Sequence, residues 1–284
     1  MDIKTMQPNC NRFHLRKVKK HKNGYFLLIK VLQSVVTTLA FFPKYHYAGV
    51  VGLIKEKENN MDRVVLDYKK PSKELIEAFR EISVASAHEC MDRKNYLGMS
   101  IRPFYPGMKL CGPALTCQCQ PLDNLTMHAA MHIAKPGDVM VVTFGGNPNQ
   151  GPFGDCCTTL AKAKGMEGVV LDTGVRDGET ASKIGLPIFC CGHSVTGTIK
   201  KEFGTVNNPI SIGGQVVKAG DIILGDDDGV VVIPLEIAED ILKKAQKRQA
   251  DEIIIRERFR NGEDAWGMGN YSEYCKKMGY NLPI

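Results

Sequence analysis

The chain of 284 residues has ten cysteines but no Cys-x-x-Cys pair. Its cysteines include the adjacent pairs 156–157 and 190–191, and two thiols separated by Gln118. Adjacent cysteines seldom bridge one another without strain, and structural zinc sites commonly use Cys-x-x-Cys spacing. We therefore expect reduced thiols and a cytoplasmic location, and we expect neither a disulfide framework nor a cysteine metal site.

The sequence also has no early strand followed by a G-x-G-x-G nucleotide loop, and it has no internal repeat or low-complexity tract. The missing loop argues against a methyltransferase. The apolar fraction of 43% is sufficient for a proper core. Length and composition therefore fit a compact soluble enzyme.

The net positive charge of the chain comes from its N-terminal part. Residues 1–60 contain eleven Lys or Arg and three acidic residues, which gives them a net charge of +8. Since the whole chain has a net charge of +6, residues 61–284 have a net charge of −2. This larger part is mildly acidic and has no basic footprint of the kind that binds nucleic acid. We expect neither nucleic acid nor a membrane among its partners.

Residues 1–60 form a leader that differs from the rest of the sequence. A basic run at 12–22 precedes an apolar run at 24–42, which contains Lys30. The pattern suits a signal anchor or targeting leader, but a lysine at mid-membrane costs about 3 kcal/mol and no A-x-A-like cleavage site is present. We favour an upstream start codon wrongly taken as the gene's beginning, and a real organelle-targeting or membrane leader is the alternative. The enzyme domain is predicted to span 61–284.

A βαβ unit is predicted in the middle of the chain. Residues 138–144 and 168–171 predict two buried strands, and residues 158–164 predict the helix between them. The loop at 145–152 is rich in glycine and proline. If the strands are parallel, this loop and the turn after the second strand share one edge of the sheet. Free amides at the helix start would then face an anion.

Arg176 and Asp177 lie in that second turn, after Gly174. Ligands of α/β proteins bind at the carboxyl ends of the strands. Arginine offers a planar fork for a carboxylate, and aspartate offers an oxygen ligand for a divalent metal. For the dipeptide taken alone, a surface ion pair in a turn is the favoured explanation. Asp155, at the helix start, either caps the helix or faces the same ligand.

Four motifs together carry a family resemblance. They are FGD at 153–155, GVVLDTGVRD at 168–177, GGQVVKAGD at 213–221 and DDGVVVIP at 227–234. In this order and spacing they resemble the RraA-like family, which includes the metal-dependent 4-hydroxy-4-methyl-2-oxoglutarate / 4-carboxy-4-hydroxy-2-oxoadipate aldolases. The resemblance covers roughly 71–262. It implies an α/β fold, a three-layer β/β/α swivelling domain, and homotrimers or homohexamers with active sites between protomers.

The resemblance also implies roles for single residues. Asp177 corresponds to the family's direct ligand of a divalent metal, Mg²⁺ or Mn²⁺, and Arg176 to the arginine that binds the keto-acid substrate. Asp155 corresponds to an acidic residue that holds a water at the metal. The residues whose segment supplies amides to the substrate carboxylate are Gly154, Asp155, Cys156 and Cys157.

Glu89 and Glu252 resemble acidic residues that the aldolase branch contributes from the neighbouring subunit. Ordinary helix-surface charge is the alternative explanation for both. Many family members carry an arginine in the turn that reads Ser194-Val195-Thr196-Gly197 here. Its loss bears on which substrate tail is accepted.

The implied activity is the cleavage of 4-hydroxy-2-oxo dicarboxylic or tricarboxylic acids to pyruvate and a second keto acid. Oxaloacetate decarboxylation should accompany it, because both reactions pass through pyruvate enolate. No lysine falls in the motifs, so a metal is favoured over a Schiff base for stabilising the enolate. The alternative is a non-catalytic regulator that binds a ribonuclease or an RNA helicase. That branch characteristically lacks the counterparts of Asp177 and Glu252, which favours the enzyme.

Further elements are predicted from periodicity and turn signals. A helix is expected over 71–94, a short helix near 179–184, and short strands over 210–234. The aspartates at 226–228 are expected in a hairpin turn, although they resemble metal ligands. A charged helix over 235–260, ending at Asn261-Gly262, suits packing on a neighbouring subunit.

Overall fold

The computed structural model describes residues 62–280, so the leader predicted for 1–60 lies outside it. The helices of the described residues are α1 (Lys73–Arg80), α2 (Val84–Cys90), α3 (Leu125–Ile133), α4 (Asp155–Ala163), α5 (Gly178–Ile184), α6 (Ala238–Arg260), α7 (Ala265–Met268) and α8 (Tyr271–Lys277). The strands are β1 (Arg102–Pro103), β2 (Leu110–Gln118), β3 (Val139–Thr143), β4 (Gly168–Leu171), β5 (Gly174–Val175), β6 (Ile188–Cys190), β7 (Gly192–His193), β8 (Thr205–Val206), β9 (Ile210–Ile212), β10 (Gln215–Val217), β11 (Ile222–Asp226) and β12 (Gly229–Ile233).

The main sheet has the order β1-β6-β4-β3-β2-β11-β12, and β8 pairs with the end of β2. Strands β2, β3, β4 and β6 run parallel, whereas β1, β11 and β12 join through antiparallel pairs. The hairpin β9–β10 and the parallel pair β5–β7 form two small additional sheets. The chain therefore has the mixed α/β fold that the sequence predicts.

The core explains why the central strands are apolar throughout. Every residue of β3, β4 and β12 is buried, so these strands are covered on both faces. Burying one such Val or Leu side chain contributes about 1.5–3 kcal/mol. One apolar cluster surrounds β3, β4 and β6, and a second joins α1, α2 and α6 to the β11–β12 side. These clusters fix the strand ends that carry the candidate site.

Residues 71–94 are largely helical, as predicted, but they form two helices and not one. Ser72 caps α1 by accepting a hydrogen bond from Leu75 N at 3.2 Å. Ser83 caps α2 by accepting one from Ser86 N at 3.2 Å. A serine in extended conformation at a helix start satisfies a free amide, and here it breaks the run of helical residues.

The aspartates at 226–228 lie at a hairpin turn, as predicted. Asp226 is paired with Gly229 across β11 and β12. Its Oδ1 accepts from Asp228 N at 2.9 Å, and its Oδ2 accepts from Val84 N at 3.0 Å. Asp227 Oδ1 accepts from Gly107 N at 2.7 Å. Backbone amides therefore hold two of these three carboxylates.

The long helix α6 ends at Arg260, with Asn261 as its C-cap residue as predicted, and follows a short 3₁₀ helix, Leu235–Ile237. Only Ala238, Ile241 and Ala245, in its first half, are buried. Ile253 and Ile254, in its second half, are 62% and 61% exposed. Among residues 62–280, none of the helices has the length and apolar character needed to cross a bilayer.

Candidate active site

The predicted βαβ unit is formed by β3, α4 and β4, and the two strands are parallel in the register Val139–Gly168. Helix α4 begins at Asp155 and not at Thr158 as predicted, because Gly154 is its N-cap residue in extended conformation. Asp155 is therefore not the N-cap residue. The glycine-rich loop and the turn after β4 lie at the carboxyl edge of the strands, where α/β proteins bind ligands.

Asp172, which directly follows β4, organises this edge. Its Oδ1 accepts from Phe144 N at 2.8 Å, and its Oδ2 accepts from Gly146 N at 2.8 Å and Thr143 Oγ1 at 2.6 Å. The side chain is nearly inaccessible, and its three donors all belong to the end of β3 or the loop after it. Its role escaped the sequence prediction, although an aspartate after a buried strand was a visible signal.

The loop before α4 and the turn after β4, which were predicted to share one edge of the sheet, contact each other through their backbones. Phe153 forms a parallel bridge with Val175, and Arg176 N donates to Phe153 O at 3.0 Å. The Arg176 Nε lies 3.4 Å from Asp177 Oδ2, and these side chains are 49% and 42% exposed. The predicted pair thus lies beside the start of α4, with both charged groups accessible to a ligand.

Asp177 has a left-handed backbone conformation, with φ 55° and ψ 40°, and precedes α5 as its N-cap residue. Such a conformation costs roughly 1–2 kcal/mol for most residues, but aspartate and asparagine tolerate it best. Its side chain makes no capping hydrogen bond to α5 among the described residues. The carboxylate is instead directed at Gly154 and Arg176.

Gly154 is the point of closest approach between the two segments. A Cβ atom at this position would lie 2.4 Å from Asp177 Oδ2 and 3.0 Å from Arg176 Nε. Its φ of −137° and ψ of −164° are accessible to any residue, so the requirement for glycine is steric. The missing side chain leaves room for the Asp177 carboxylate at the start of α4.

We expect Gly154→Ala to lower turnover about a hundredfold, because displacing catalytic groups by an ångström costs that much. The Cβ must push Asp177 or Arg176 away, whereas the backbone of position 154 accepts alanine. Steady-state kinetics and thermal unfolding would be measured together. Gly267→Ala is the matched control, since its Cβ would meet only Asp264 Oδ1 at 3.8 Å. Unchanged turnover in Gly154→Ala would contradict this geometry.

The start of α4 supplies hydrogen-bond donors to this edge. No side chain of the described residues caps the helix at Gly154. Asp155 Oδ1 accepts from Cys156 N at 2.6 Å, so the carboxylate folds back over the first turn. A helix start with exposed amides attracts anions, and Asp155 is placed where a bound water or hydroxyl could contact it.

The pKa of Cys156 is raised, although the start of a helix usually lowers the pKa of a thiol. A hydrogen bond to the Asp155 carboxylate raises the pKa of this thiol, and the charge of Asp177 adds to the rise. Because the thiolate is the nucleophile, a raised pKa argues against a nucleophilic role.

Cys156→Ser should keep kcat/KM within about twofold, because the backbone amide at 156 is retained and the thiol is protonated at neutral pH. Reaction with iodoacetamide should be slow up to pH 8 and accelerate as the pH rises further. Loss of turnover in a Cys156→Ser protein with unchanged circular dichroism would overturn this assignment.

A cavity of about 420 Å³ opens at this edge. Its lining residues are Val175, Arg176, Asp177, His193, Ser194 and Val195. His193 was not predicted, because its segment, Gly192–Val195, is distant in sequence and reaches the site only through the β5–β7 pair. The turn at 194–197, which departs from the family pattern, thus borders the cavity. A Cβ on Gly197 would lie 3.5 Å from the Arg176 guanidinium.

Lys200 is a second cation close to the start of α4. Burial raises the pKa of Cys157, and the positive charges of Lys200 and Arg176 oppose that rise. The backbone at Ile199 pairs with Leu122 and Asn124, and Asn124 Nδ2 donates to Pro152 O at 2.9 Å. The segment that carries Lys200 is therefore fixed beside the loop before α4.

The donor set suits a hydrated divalent metal better than a fully enclosed one. Within residues 62–280, no group of three or more His, Cys, Asp or Glu side chains is arranged to hold a metal ion. Asp177 offers an accessible carboxylate, and the space over Gly154 would be filled by any side chain. Mg²⁺ and Mn²⁺ accept one or two carboxylates and keep several waters. The residues present fit such an ion.

Glu89 and Glu252 lie elsewhere in the same chain and do not line this cavity. Glu89 pairs with Arg93 at 2.7 Å, and Glu252 lies between Arg248 at 3.0 Å and Arg256 at 3.5 Å. Burial raises the pKa of Cys90, and both glutamates add to the rise. The two carboxylates thus share one surface where α2 packs on α6.

Comparisons with known proteins agree with the motifs. The model of a family described as RraA-like, aldolase/RraA, matches residues 73–232. A Halalkalibacterium halodurans protein with the provisional name 4-hydroxy-4-methyl-2-oxoglutarate aldolase is 37% identical over 179 residues, 63% of this chain and 85% of that protein.

Two solved structures are similar over most of the described residues. An uncharacterised protein from Pseudomonas syringae pv. tomato has a TM-score of 0.64 and 25% identity, over 72% of this chain and 96% of that one. Streptomyces coelicolor RraAS2, described as an unusual member of the RNase ES inhibitor RraA protein family, has a TM-score of 0.61 and 31% identity. That match covers 67% of this chain and 99% of the other.

Proposed function

The chain belongs to the RraA-like family, and we propose that within it the protein is a divalent-metal-dependent aldolase. Its substrates are 4-hydroxy-2-oxo dicarboxylic or tricarboxylic acids of the 4-hydroxy-4-methyl-2-oxoglutarate type, which it cleaves to pyruvate and a second keto acid. The name of the H. halodurans relative, at 37% identity, supports this choice of substrate class.

One observation carries the proposal: Arg176, Asp177 and the start of α4 meet around Gly154. A guanidinium, a carboxylate and exposed helix amides are the groups that an α-keto acid and a divalent cation require. Their accessible side chains border a cavity of about 420 Å³, sufficient for a small acid. Asp155 completes the cluster with a second carboxylate.

Cleavage of the C3–C4 bond leaves an enolate on the pyruvate fragment, and its charge must be stabilised as it forms. Mg²⁺ or Mn²⁺, held by Asp177, would act as a Lewis acid toward that charge. Arg176 binds the substrate oxygens and offsets their charge. The free amides at the start of α4 hold the C1 carboxylate, next to the Asp177 carboxylate that the missing side chain of Gly154 admits.

A base must remove the proton of the C4 hydroxyl. Asp155 performs this step through a water, because its carboxylate lies on the first turn of α4 and remains close to Arg176 and Asp177. The electrons of the breaking C3–C4 bond become the enolate, and C3 of the enolate then takes up a proton from the same water to give pyruvate. Oxaloacetate loses CO₂ through the same enolate, so decarboxylation is proposed as a side activity.

The complete site is proposed to need two chains, in a homotrimer or homohexamer. Glu89 and Glu252 lie where α2 packs on α6, and Ile253 and Ile254, next to Glu252 in sequence, are exposed. Exposed apolar side chains beside charged ones are typical of a protein interface. Docking this surface against a neighbouring cavity would bring the two glutamates to Arg176 and Asp177.

The similarity to RraAS2 supports a second candidate function, that of a non-catalytic regulator that binds a ribonuclease or an RNA helicase. The two functions differ in whether they need Asp177. An aldolase needs an accessible metal-binding carboxylate there, whereas a binding surface does not depend on it.

A panel of keto acids separates these functions. Pyruvate release would be measured from 4-hydroxy-4-methyl-2-oxoglutarate, 4-carboxy-4-hydroxy-2-oxoadipate and oxaloacetate, with Mg²⁺ and with EDTA. We expect turnover of at least one hydroxy acid and of oxaloacetate with Mg²⁺ only. No turnover of any acid with either Mg²⁺ or Mn²⁺ would reject the aldolase.

A further inference from the structure

His193 occupies a fixed position beside the candidate metal ligand. It pairs with Val175 in the parallel β5–β7 register, and the next residue, Ser194, donates its N–H to Val175 O at 3.0 Å. The imidazole ring lies 4.5 Å from the Phe104 ring, with 39° between their planes. A Cβ on Gly178 would lie 2.9 Å from His193 Nε2. The ring is therefore held against the start of α5.

Two basic side chains consequently flank Asp177 from different sides. Arg176 lies on the side of Gly154 and Gly197, whereas His193 lies on the side of Gly178. Both line the cavity of about 420 Å³. A ligand held at Asp177 and Arg176 by one end can therefore extend toward the imidazole with its other end.

The proposed substrates carry a carboxylate at each end, and the second one needs its own donor. We propose that His193 donates a hydrogen bond to the distal carboxylate of the substrate, so that it selects keto diacids over keto monoacids. This inference rests on the proposed function. An imidazole N–H is a good donor to a carboxylate, and packing against Phe104 reduces the entropy lost when the bond forms.

The other lining residues on this side are poorer candidates. Val195 is 94% exposed and has no side-chain donor. The short side chain of Ser194 accepts a hydrogen bond from Thr196 N at 3.3 Å, which holds its Oγ against the 194–197 turn. Lys200 is close to Cys157 but does not line the cavity. It is the alternative donor to the distal carboxylate that the test below examines.

The test compares two ligands that differ in the distal carboxylate, pyruvate and 2-oxoglutarate. Dissociation constants would be measured by calorimetry with Mg²⁺ for the wild-type chain, His193→Phe and His193→Gln. We expect the wild type to prefer 2-oxoglutarate. His193→Phe should weaken 2-oxoglutarate binding about tenfold and change pyruvate binding by less than about twofold. His193→Gln retains a donor and should keep most of the preference.

His132→Gln, on α3 outside the cavity, is the matched control, and Lys200→Gln tests the rival cation. Equal binding of both acids by the wild type, or an unchanged preference in His193→Phe, would overturn the role of His193 and leave the aldolase standing. A preference lost only in Lys200→Gln would also overturn it. A wild type that binds neither acid and releases no pyruvate in the substrate panel would reject the aldolase, and this inference with it.

Discussion

Replacing Asp177 by asparagine is expected to lower metal-dependent turnover about a thousandfold while the protein stays folded. Several kcal/mol of charge stabilisation depend on the cation, and each 1.4 kcal/mol is about tenfold in rate. Asparagine adopts the left-handed backbone of position 177 as readily as aspartate, so α5 should begin unchanged. Steady-state kinetics at saturating Mg²⁺, with circular dichroism, would measure this.

EDTA should abolish turnover of the wild-type protein, and added Mg²⁺ or Mn²⁺ should restore it. Asp240→Asn provides the control, because Asp240 pairs with Lys244 on the exposed face of α6. Full activity in EDTA, or an Asp177→Asn variant as active as this control, would exclude a metal held by Asp177.

The second large effect concerns the assembly of the site from two chains. Glu252→Ala should lower turnover about a hundredfold, the typical contribution of a positioned acid or base, and Arg176→Ala should lower it at least as much. Mixing the two variants under subunit exchange should restore part of the activity, because some sites would combine an intact Arg176 with an intact Glu252 from another chain. Pyruvate release would be followed as exchange proceeds.

Glu257→Ala is the control on the same helix, since Glu257 is exposed and pairs only with Arg260 at 3.0 Å among the described residues. It should keep full turnover. A fully active monomer in sedimentation, or no recovery in a mixture whose exchange is proven by mass labelling, would place the whole site within one chain.

The sequence predicted the part of the site that is formed by neighbouring segments of the chain, the βαβ unit and the turn after it. The βαβ unit follows from two runs of buried residues around a glycine-rich loop, and parallel strands bring the loop and the turn at 176–177 to the same edge. The residue types of Arg176 and Asp177 then indicated that the site binds a carboxylate and a divalent metal. The resemblance added the roles of Glu89 and Glu252, which no local pattern distinguishes from surface charge.

The remainder depends on contacts between distant segments. His193 reaches the cavity only because β7 pairs with β5, and a two-residue strand leaves no periodic signal. The start of a helix usually lowers the pKa of a thiol, but the neighbouring Asp155 carboxylate raises the pKa of Cys156. The helix predicted over 71–94 divides at Ser83, where a capping serine outweighs the helical spacing of the apolar residues.

Exchange of the methyl protons of pyruvate with D₂O tests the central claim most directly, that the Arg176–Asp177 site stabilises a pyruvate enolate with a divalent cation. The exchange requires the enolate but not the physiological hydroxy acid, so it does not depend on identifying the substrate. Proton NMR should show the methyl signal disappearing with Mg²⁺ and protein, and persisting with EDTA or with Asp177→Asn. Exchange that continues undiminished in EDTA, or an absence of exchange with either metal, would contradict the account.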